Sequence, residues 1–291
     1  MMEKYFNLSH EEKMKDVRPE LSYQIGATPE FTEVPRDHQD VISSLLPGNS
    51  AHLPKGADPK WRYFWHIGER PTETQFPDLN ADPVIPKDFP EWKEVMDKWG
   101  SLMLTAVTSA AEMCGVGLGL PGNTFVDLMN KGPHLLAPTG SDLSRFNNLD
   151  TVFAGFHYDL NFLTIHGKSR FPGLYIWLRD GTKVPVRVPD GCLLIQAGKQ
   201  IEWYTGGDIT AGYHEVVVSE DTLKAVDRAK QEGRPLWRVS STLFSHIASD
   251  NELKPLGKAD TEEARKKYPV ILAGKQVQEE LALIKLAPPQ K

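Results

Sequence analysis

Val152-Phe153-Ala154-Gly155-Phe156-His157-Tyr158-Asp159-Leu160-Asn161-Phe162-Leu163-Thr164-Ile165 is the stretch from which the rest of the chain can be read. Aromatic and β-branched residues fill it, and a histidine and an aspartate stand two apart at its middle. On a strand, residues i and i+2 point to the same face, so an imidazole and a carboxylate placed this way can grip one cation. The pair alone is a weak signal. With 9 histidines in the chain it arises readily by chance, and His38-Gln39-Asp40 is such a copy. No strand pattern surrounds that copy, and it is set aside.

Downstream, short β-rich runs follow at 162–165, 174–178, 184–188, 192–196, 213–218 and 237–244. Arg179-Asp180-Gly181-Thr182 and Pro189-Asp190-Gly191 read as turns between them. Many short strands at this spacing predict a sandwich or barrel rather than alternating β/α units. A helical insertion at 220–232 interrupts them. In 213–218, His214 alternates with Val216 and Val218, so all three should face the barrel interior. The 55 positions from Asp159 to His214 leave room for about five strands. Two histidines and one carboxylate leave three octahedral positions open, the arrangement suited to iron(II) and dioxygen. In 237–244, Arg238, Ser240, Thr242 and Phe244 share one face. A guanidinium and a hydroxyl inside an apolar barrel need an anionic partner. A ligand carboxylate would supply it, and a salt bridge to Glu215 is the plainer alternative.

Upstream, Trp92, Val95, Met96, Trp99, Leu102, Met103, Ala106, Val107 and Ala110 fall at three- and four-residue intervals. They predict a core-facing helix within 89–131, with Asn123 capping a shorter one after the glycine-rich break at 115–122. Residues 1–88 read as an irregular arm, apart from a short helix capped by Ser9. Residues 249–291 read as a helical tail. No polar linker separates two folding units, so 1–291 is expected to be one domain with its core at 152–248. A formal charge of −6 argues against a nucleic-acid partner. Cys114 and Cys192 are too few and too far apart for a disulfide framework, and read as buried thiols in the cytoplasm. The charged first twenty residues do not resemble a signal peptide, and no run is long enough to span a membrane.

These segments resemble the isopenicillin N synthase-like group of iron(II)/2-oxoglutarate-dependent oxygenases. Tyr5-Phe6-Asn7-Leu8-Ser9-His10-Glu11-Glu12-Lys13 is similar to the family's aromatic-Leu-Pro-x-Glu-Glu-Lys segment. His157-x-Asp159, Gly173-Leu174, His214-x-Val216 and Arg238-x-Ser240 stand in the family's order. The resemblance implies a mainly β fold with flanking helices, a double-stranded β-helix (a cupin-like jelly roll). It implies iron(II) held by His157, Asp159 and His214. The distal carboxylate of 2-oxoglutarate would fall to Arg238 and Ser240. It also implies consumption of dioxygen and release of succinate and carbon dioxide, with ascorbate assisting. A small-molecule substrate would be hydroxylated, desaturated or cyclised, with Tyr158, Gln196 and Phe244 as candidate contacts. Trp203 and Tyr204 could shape the mouth or pack a turn, and His166 and His246 read as surface or core residues. The chain departs from the family in starting almost at the Glu-Glu-Lys segment, which reads as a fragment or a variant lacking an edge strand. It also lacks the usual Asn-x-Tyr in 135–142, and carries Gln196 where an asparagine is common. An oxidase that uses iron without the oxoacid, and a non-catalytic ligand-binding barrel, are the other readings.

Overall fold

The computed structural model describes residues 1–53 and 56–286, so the end of the expected tail, 287–291, lies outside the described residues. The chain opens with α1 (Met2–Phe6), α2 (His10–Met14), β1 (Gly26–Thr28), α3 (Gln39–Ser44) and β2 (Trp61–Ile67). Next come α4 (Trp92–Gly117), α5 (Thr124–Met129), β3 (His134–Asp142), β4 (Val152–His157), β5 (Leu163–His166), β6 (Leu174–Trp177) and β7 (Lys183–Pro185). Then follow β8 (Leu194–Ala197), α6 (Lys199–Tyr204), β9 (His214–Val217), α7 (Glu220–Gln231) and β10 (Trp237–Ser245). The last pieces are β11 (Glu252–Leu253), α8 (Glu262–Lys267), β12 (Ile271–Leu272) and α9 (Ala273–Leu283).

The larger sheet runs β1-β2-β3-β10-β5-β8 and the smaller β4-β9-β6-β7. Every pairing in both is antiparallel. From β3 to β10 the chain crosses between the sheets at each step except the β6–β7 hairpin. This is the expected double-stranded β-helix. The hairpin turns at Gly181, with φ at +82°, and Thr182 N donates to Asp180 Oδ1 at 2.9 Å. β6 approaches β9 so closely that a Cβ on Gly173 would stand 2.3 Å from Val217 O. Only glycine fits there.

The barrel begins earlier than 152: β3 occupies its centre, and β2 lies in the arm expected to be irregular. The reason is physical. All but one residue of β2 is buried, and most of β3 is as well, so neither strand shows the polar/apolar alternation that reveals a half-exposed one. Between Asp159 and His214 lie four strands and α6, where five strands were expected.

The long helix α4 packs outside the larger sheet, on β2, β3, β5 and β10. Its buried ridge is Trp92, Met96, Gly100, Met103, Val107, Ala111 and Gly115. That is narrower than the expected stripe, because Val95, Trp99 and Leu102 are exposed. A Cβ on Gly100 would stand 2.3 Å from Ile67, so the glycine sets how close the helix lies to β2. Ser9 caps α2 by accepting from Glu12 N at 3.2 Å, as expected. Asn123 occupies the N-cap of α5 but its side chain turns to Asp127 Oδ2 instead, at 2.6 Å. Ser219 and Thr222 form a reciprocal capping box on α7. Both cysteines are free, yet neither is fully buried. Cys192 is exposed, because it belongs to the turn ahead of β8 rather than to the strand. Tyr204 is a core residue and Trp203 Nε1 donates to Pro269 O at 2.9 Å, so this pair packs structure rather than a mouth. Among the described residues no helix is long and apolar enough to cross a membrane.

Candidate metal centre

β4 and β9 are neighbours in the smaller sheet, and His157 stands directly opposite His214 in their register. Asp159 lies just past the end of β4, where its carbonyl accepts from Lys199 N at 2.8 Å. His157 Nδ1 meets Gly155 O at 2.6 Å, and His214 Nδ1 meets Gly212 O at 3.1 Å. A carbonyl can only accept, so in both rings Nδ1 carries the proton and the Nε2 lone pair is free to bind a metal. Both Nε2 atoms point at the same oxygen, Asp159 Oδ1, from 3.9 Å and 3.8 Å. The three ligand atoms lie within 4.8 Å of one another. That spacing brackets an ion at ordinary bond lengths of about 2.0–2.2 Å. Asp159 Oδ2 is buried and has no hydrogen-bond partner. Burial pushes the His157 imidazole down to about 3, and the facing His214 adds to this, so the ring is neutral at ordinary pH. Burial alone would raise Asp159, but the two imidazoles hold it below the usual carboxylate range. Two imidazoles and one carboxylate are the donor set that iron(II) takes.

The three residues open onto a cavity of about 510 Å³. Arg238, Ser240, Thr242 and Phe244 line it from β10, and Leu174 and Val216 line it from the smaller sheet. Val218 does not. It lies beyond the end of β9 and packs in a separate apolar cluster with Phe153, Phe171 and Val226. Among the described residues Arg238 forms no ion pair, its Nε has no hydrogen-bond partner, and burial lowers its pKa to about 10. Glu215 is not its partner. That carboxylate is fully buried elsewhere, against His52 Nδ1 at 2.7 Å and Lys183 Nζ at 2.6 Å. A buried guanidinium left unpaired is a site awaiting an anion.

The opposite wall comes from the arm, whose site residues carry no strand or motif signal. Lys60 Nζ lies 3.0 Å from Glu33 Oε1 and 2.7 Å from Asp58 Oδ2, and Arg62 Nη1 lies 2.7 Å from Glu33 Oε2. All four line the cavity. Asp58 Oδ1 also accepts from Gly155 N at 3.3 Å, which ties this cluster to the strand that carries His157. At the rim, Arg36 Nη1 donates to the Tyr158 hydroxyl at 2.7 Å, and that hydroxyl donates to Glu280 of α9 at 3.1 Å. Tyr158 and Phe244 therefore reach the cavity as expected. Gln196 does not. It is buried next to His166 and is not part of the lining. His166 and His246 are lining residues rather than surface or filler positions. His38 also borders the cavity, but it packs against the rings of Tyr213 and Tyr158, 5.2 Å and 5.4 Å away, and joins no group of metal donors.

No family model matches the sequence. Flavonol synthase/flavanone 3-hydroxylase of Petunia hybrida is 22% identical over 246 residues, covering 78% of this chain and 62% of its own. Leucoanthocyanidin dioxygenase 1 of Oryza sativa subsp. indica is 25% identical over 199 residues, 64% of this chain and 50% of its own. The chain thus spans between half and about three fifths of the length of the curated relatives it matches. Among solved structures, a Caulobacter crescentus protein assigned to the 2OG-Fe(II) oxygenases superposes with a TM-score of 0.72 at 24% identity, over 96% of this chain and 82% of that one. A full-length Neurospora crassa protein in complex with alpha-KG gives 0.70 at 21% identity, over 96% and 79%. The fold is shared with the 2OG-Fe(II) oxygenases, and the sequence is similar to that of named dioxygenases.

Proposed function

We propose that the chain is an iron(II)- and 2-oxoglutarate-dependent oxygenase that oxidises a small organic substrate, with release of succinate and carbon dioxide. The observation that carries this reading is one cavity with a facial His-Asp-His donor set at one end and an unpaired buried arginine further along. In this reading His157, Asp159 and His214 hold the metal, and the backbone carbonyls of Gly155 and Gly212 fix the tautomers that leave Nε2 free. Arg238 and Ser240 take the distal carboxylate of the oxoacid, and the guanidinium gains the charged partner it lacks. Iron(II) and 2-oxoglutarate, when bound, supply the activation of dioxygen. Phe244, Val216 and Leu174 keep water from the reacting groups. Tyr158 and Phe244 contact the substrate, in a volume within the ordinary range for small-molecule sites. The reading treats 1–291 as a single cytoplasmic domain whose partners are the substrate and dioxygen, not nucleic acid or membrane.

A complete donor set with open positions argues against a non-catalytic barrel. An oxidase that ignores the oxoacid would use Arg238 for the substrate's own carboxylate, and cosubstrate dependence separates the two. The test is succinate formation from protein, iron(II), ascorbate, 2-oxoglutarate and air. Uncoupled turnover is expected without the true substrate and should vanish in His214→Ala. No succinate above that variant's background, across a broad substrate panel, would remove the reading.

A further inference from the structure

The apolar residues of α4 divide into two sets. One ridge is buried against the larger sheet, whereas Val95, Trp99, Leu102, Met113 and Val116 stand outside it, 40% to 74% exposed. Single apolar residues on a surface need no explanation, but a contiguous patch marks an interaction site. These five are aligned rather than scattered. Together with Ala106 and Ser109 they recur at alternating steps of four and three residues from 95 to 116. That is the spacing of a helix–helix seam, in which apolar positions repeat about every 3.5 residues. The seam runs for about 30 Å along the helix.

The seam overhangs one edge of the larger sheet. Leu104, on the other flank of α4, lies at the end of β2, where a Cβ on Gly68 would stand 3.6 Å from it. Trp99, on the seam side, donates from Nε1 to Ser241 Oγ of β10 at 2.8 Å. A Cβ on Gly167, just past β5, would stand 3.5 Å from the same ring. Beyond β5 comes β8, the last strand of that sheet. Ile195 of β8 is registered with Ile165, which is fully buried in the core cluster that holds Met103 and Val107 of α4. Ile195 therefore faces the helix side of the sheet, as does Leu193 two residues earlier, and they are 40% and 43% exposed. The flank of α4 and the outer face of β8 form two sides of one apolar corner.

We propose that this corner is a homodimer interface, occupied by α4 of a second copy of the chain running antiparallel to the first. The seam is complementary to itself in that arrangement. With the two-fold axis beside Leu104, Trp99 meets the partner's Ser109, Leu102 meets the partner's Ala106, and Val95 meets the partner's Met113. Large side chains thus face small or flexible ones. The charges fit the same axis. Lys98 and Glu112 are exposed and flank the seam on one side, each one residue before a seam position. The antiparallel pairing sets Lys98 beside the partner's Glu112, twice by symmetry. Lys93 pairs with Asp97 on another face of the helix, whereas among the described residues neither Lys98 nor Glu112 makes an ion pair. Glu91 and Glu94 fall opposite residues 114–119 of the partner, which carry no charge. A parallel pair would set Trp99 against its own copy and leave Lys98 without an acid.

The test is sedimentation velocity of the full chain over a range of concentrations. It compares wild type, Leu102→Glu, Lys98→Glu, Glu112→Lys and the double variant Lys98→Glu/Glu112→Lys. Circular dichroism and iron stoichiometry are measured for each, and both should match wild type, because all three positions are exposed and outside the cavity lining. Wild type should form a dimer, and Leu102→Glu should be a monomer throughout. Each single charge reversal brings like charges together at two places and should weaken the dimer by about tenfold or more. The double variant restores both pairs with their signs exchanged and should return to within about threefold of wild type. A wild type that is monomeric at every concentration overturns the proposal, and leaves the corner to a different protein. A dimer that survives Leu102→Glu overturns it too, since the contact then lies elsewhere. If Leu102→Glu breaks the dimer but the double variant stays as weak as the single reversals, the antiparallel pairing is overturned. None of these outcomes depends on the oxygenase reading.

Discussion

The two walls of the cavity carry charge in opposite ways. On the arm side, Glu33, Asp58, Lys60 and Arg62 neutralise one another's charge through ion pairs of 2.7 Å to 3.0 Å. On the barrel side, Arg238 is equally buried and pairs with nothing among the described residues, while Asp159 leaves an oxygen unsatisfied. A self-neutralised cluster holds structure together. Uncompensated charge is poised for something from outside. The difference separates a wall that stabilises the fold from a wall that binds.

The largest effect should come from the binding wall. Asp159→Ala removes the only charged donor of the three and should abolish iron binding in a metal analysis, whereas His38→Ala should leave the stoichiometry unchanged. Stoichiometric iron in the Asp159 variant would contradict the assignment. The next test sets the walls against each other. Lys60→Met strands the buried Asp58 carboxylate and leaves Glu33 to Arg62 alone, and should cost about 3–5 kcal/mol of stability in denaturant unfolding. Arg238→Met removes an unpaired buried charge instead, so the ligand-free protein should keep its stability or gain some, while losing affinity for the oxoacid. Equal destabilisation by the two substitutions would erase the distinction. Tyr158→Phe is milder. It deletes the hydroxyl that joins Arg36 to Glu280 and should cost about 1 kcal/mol, because the two charged groups still approach to 3.5 Å.

Sequence reading succeeded where a strand or helix has one polar and one apolar face. His157-x-Asp159, His214-x-Val216 and Arg238-x-Ser240 stand out because each interrupts an apolar run at a period of two. The capped helix at Ser9 is legible for a similar reason, since a cap needs particular residues at particular spacing. What escaped notice lies on segments buried from both sides. β2 reads Trp61-Arg62-Tyr63-Phe64-Trp65-His66-Ile67, with no polar face to set its period. Glu33, Asp58 and Lys60 sit in irregular backbone, where spacing carries no facial information at all. His166 reads as a surface or core residue because it follows the metal motif without repeating it. Only the pairing of β5 with β10 shows that it shares a face with Arg238. Its nearness to Thr242 could have been found only from the sheet order.

The smallest predicted effect lies outside both walls and depends on pH. His52 bridges the segment before 54 to Glu215, whose carboxylate also takes Lys183. The hydrogen bond to Glu215 raises His52 above its ordinary 6.5 despite partial burial. Burial alone would raise Glu215, but bonds from His52 and Lys183 hold it below 4.5. A raised histidine contributes fully below its unfolded pKa and loses its contribution as pH rises through the folded value. A depressed glutamate contributes fully above its unfolded pKa and loses it as pH falls through the folded value. The bridge should therefore be strongest between pH 4.5 and 6.5. The gap in thermal midpoint between wild type and His52→Ala should narrow on either side of that window, and a gap independent of pH would refute the pairing.

If one cavity joins a metal to an oxoacid, the most direct measurement is the anaerobic binding of 2-oxoglutarate with and without iron(II). One molecule should bind per chain, tightly when iron is present, more weakly without it, and not at all in Arg238→Met. Binding that ignores both the metal and Arg238, or no binding to the iron-loaded protein, would contradict this assignment of the site.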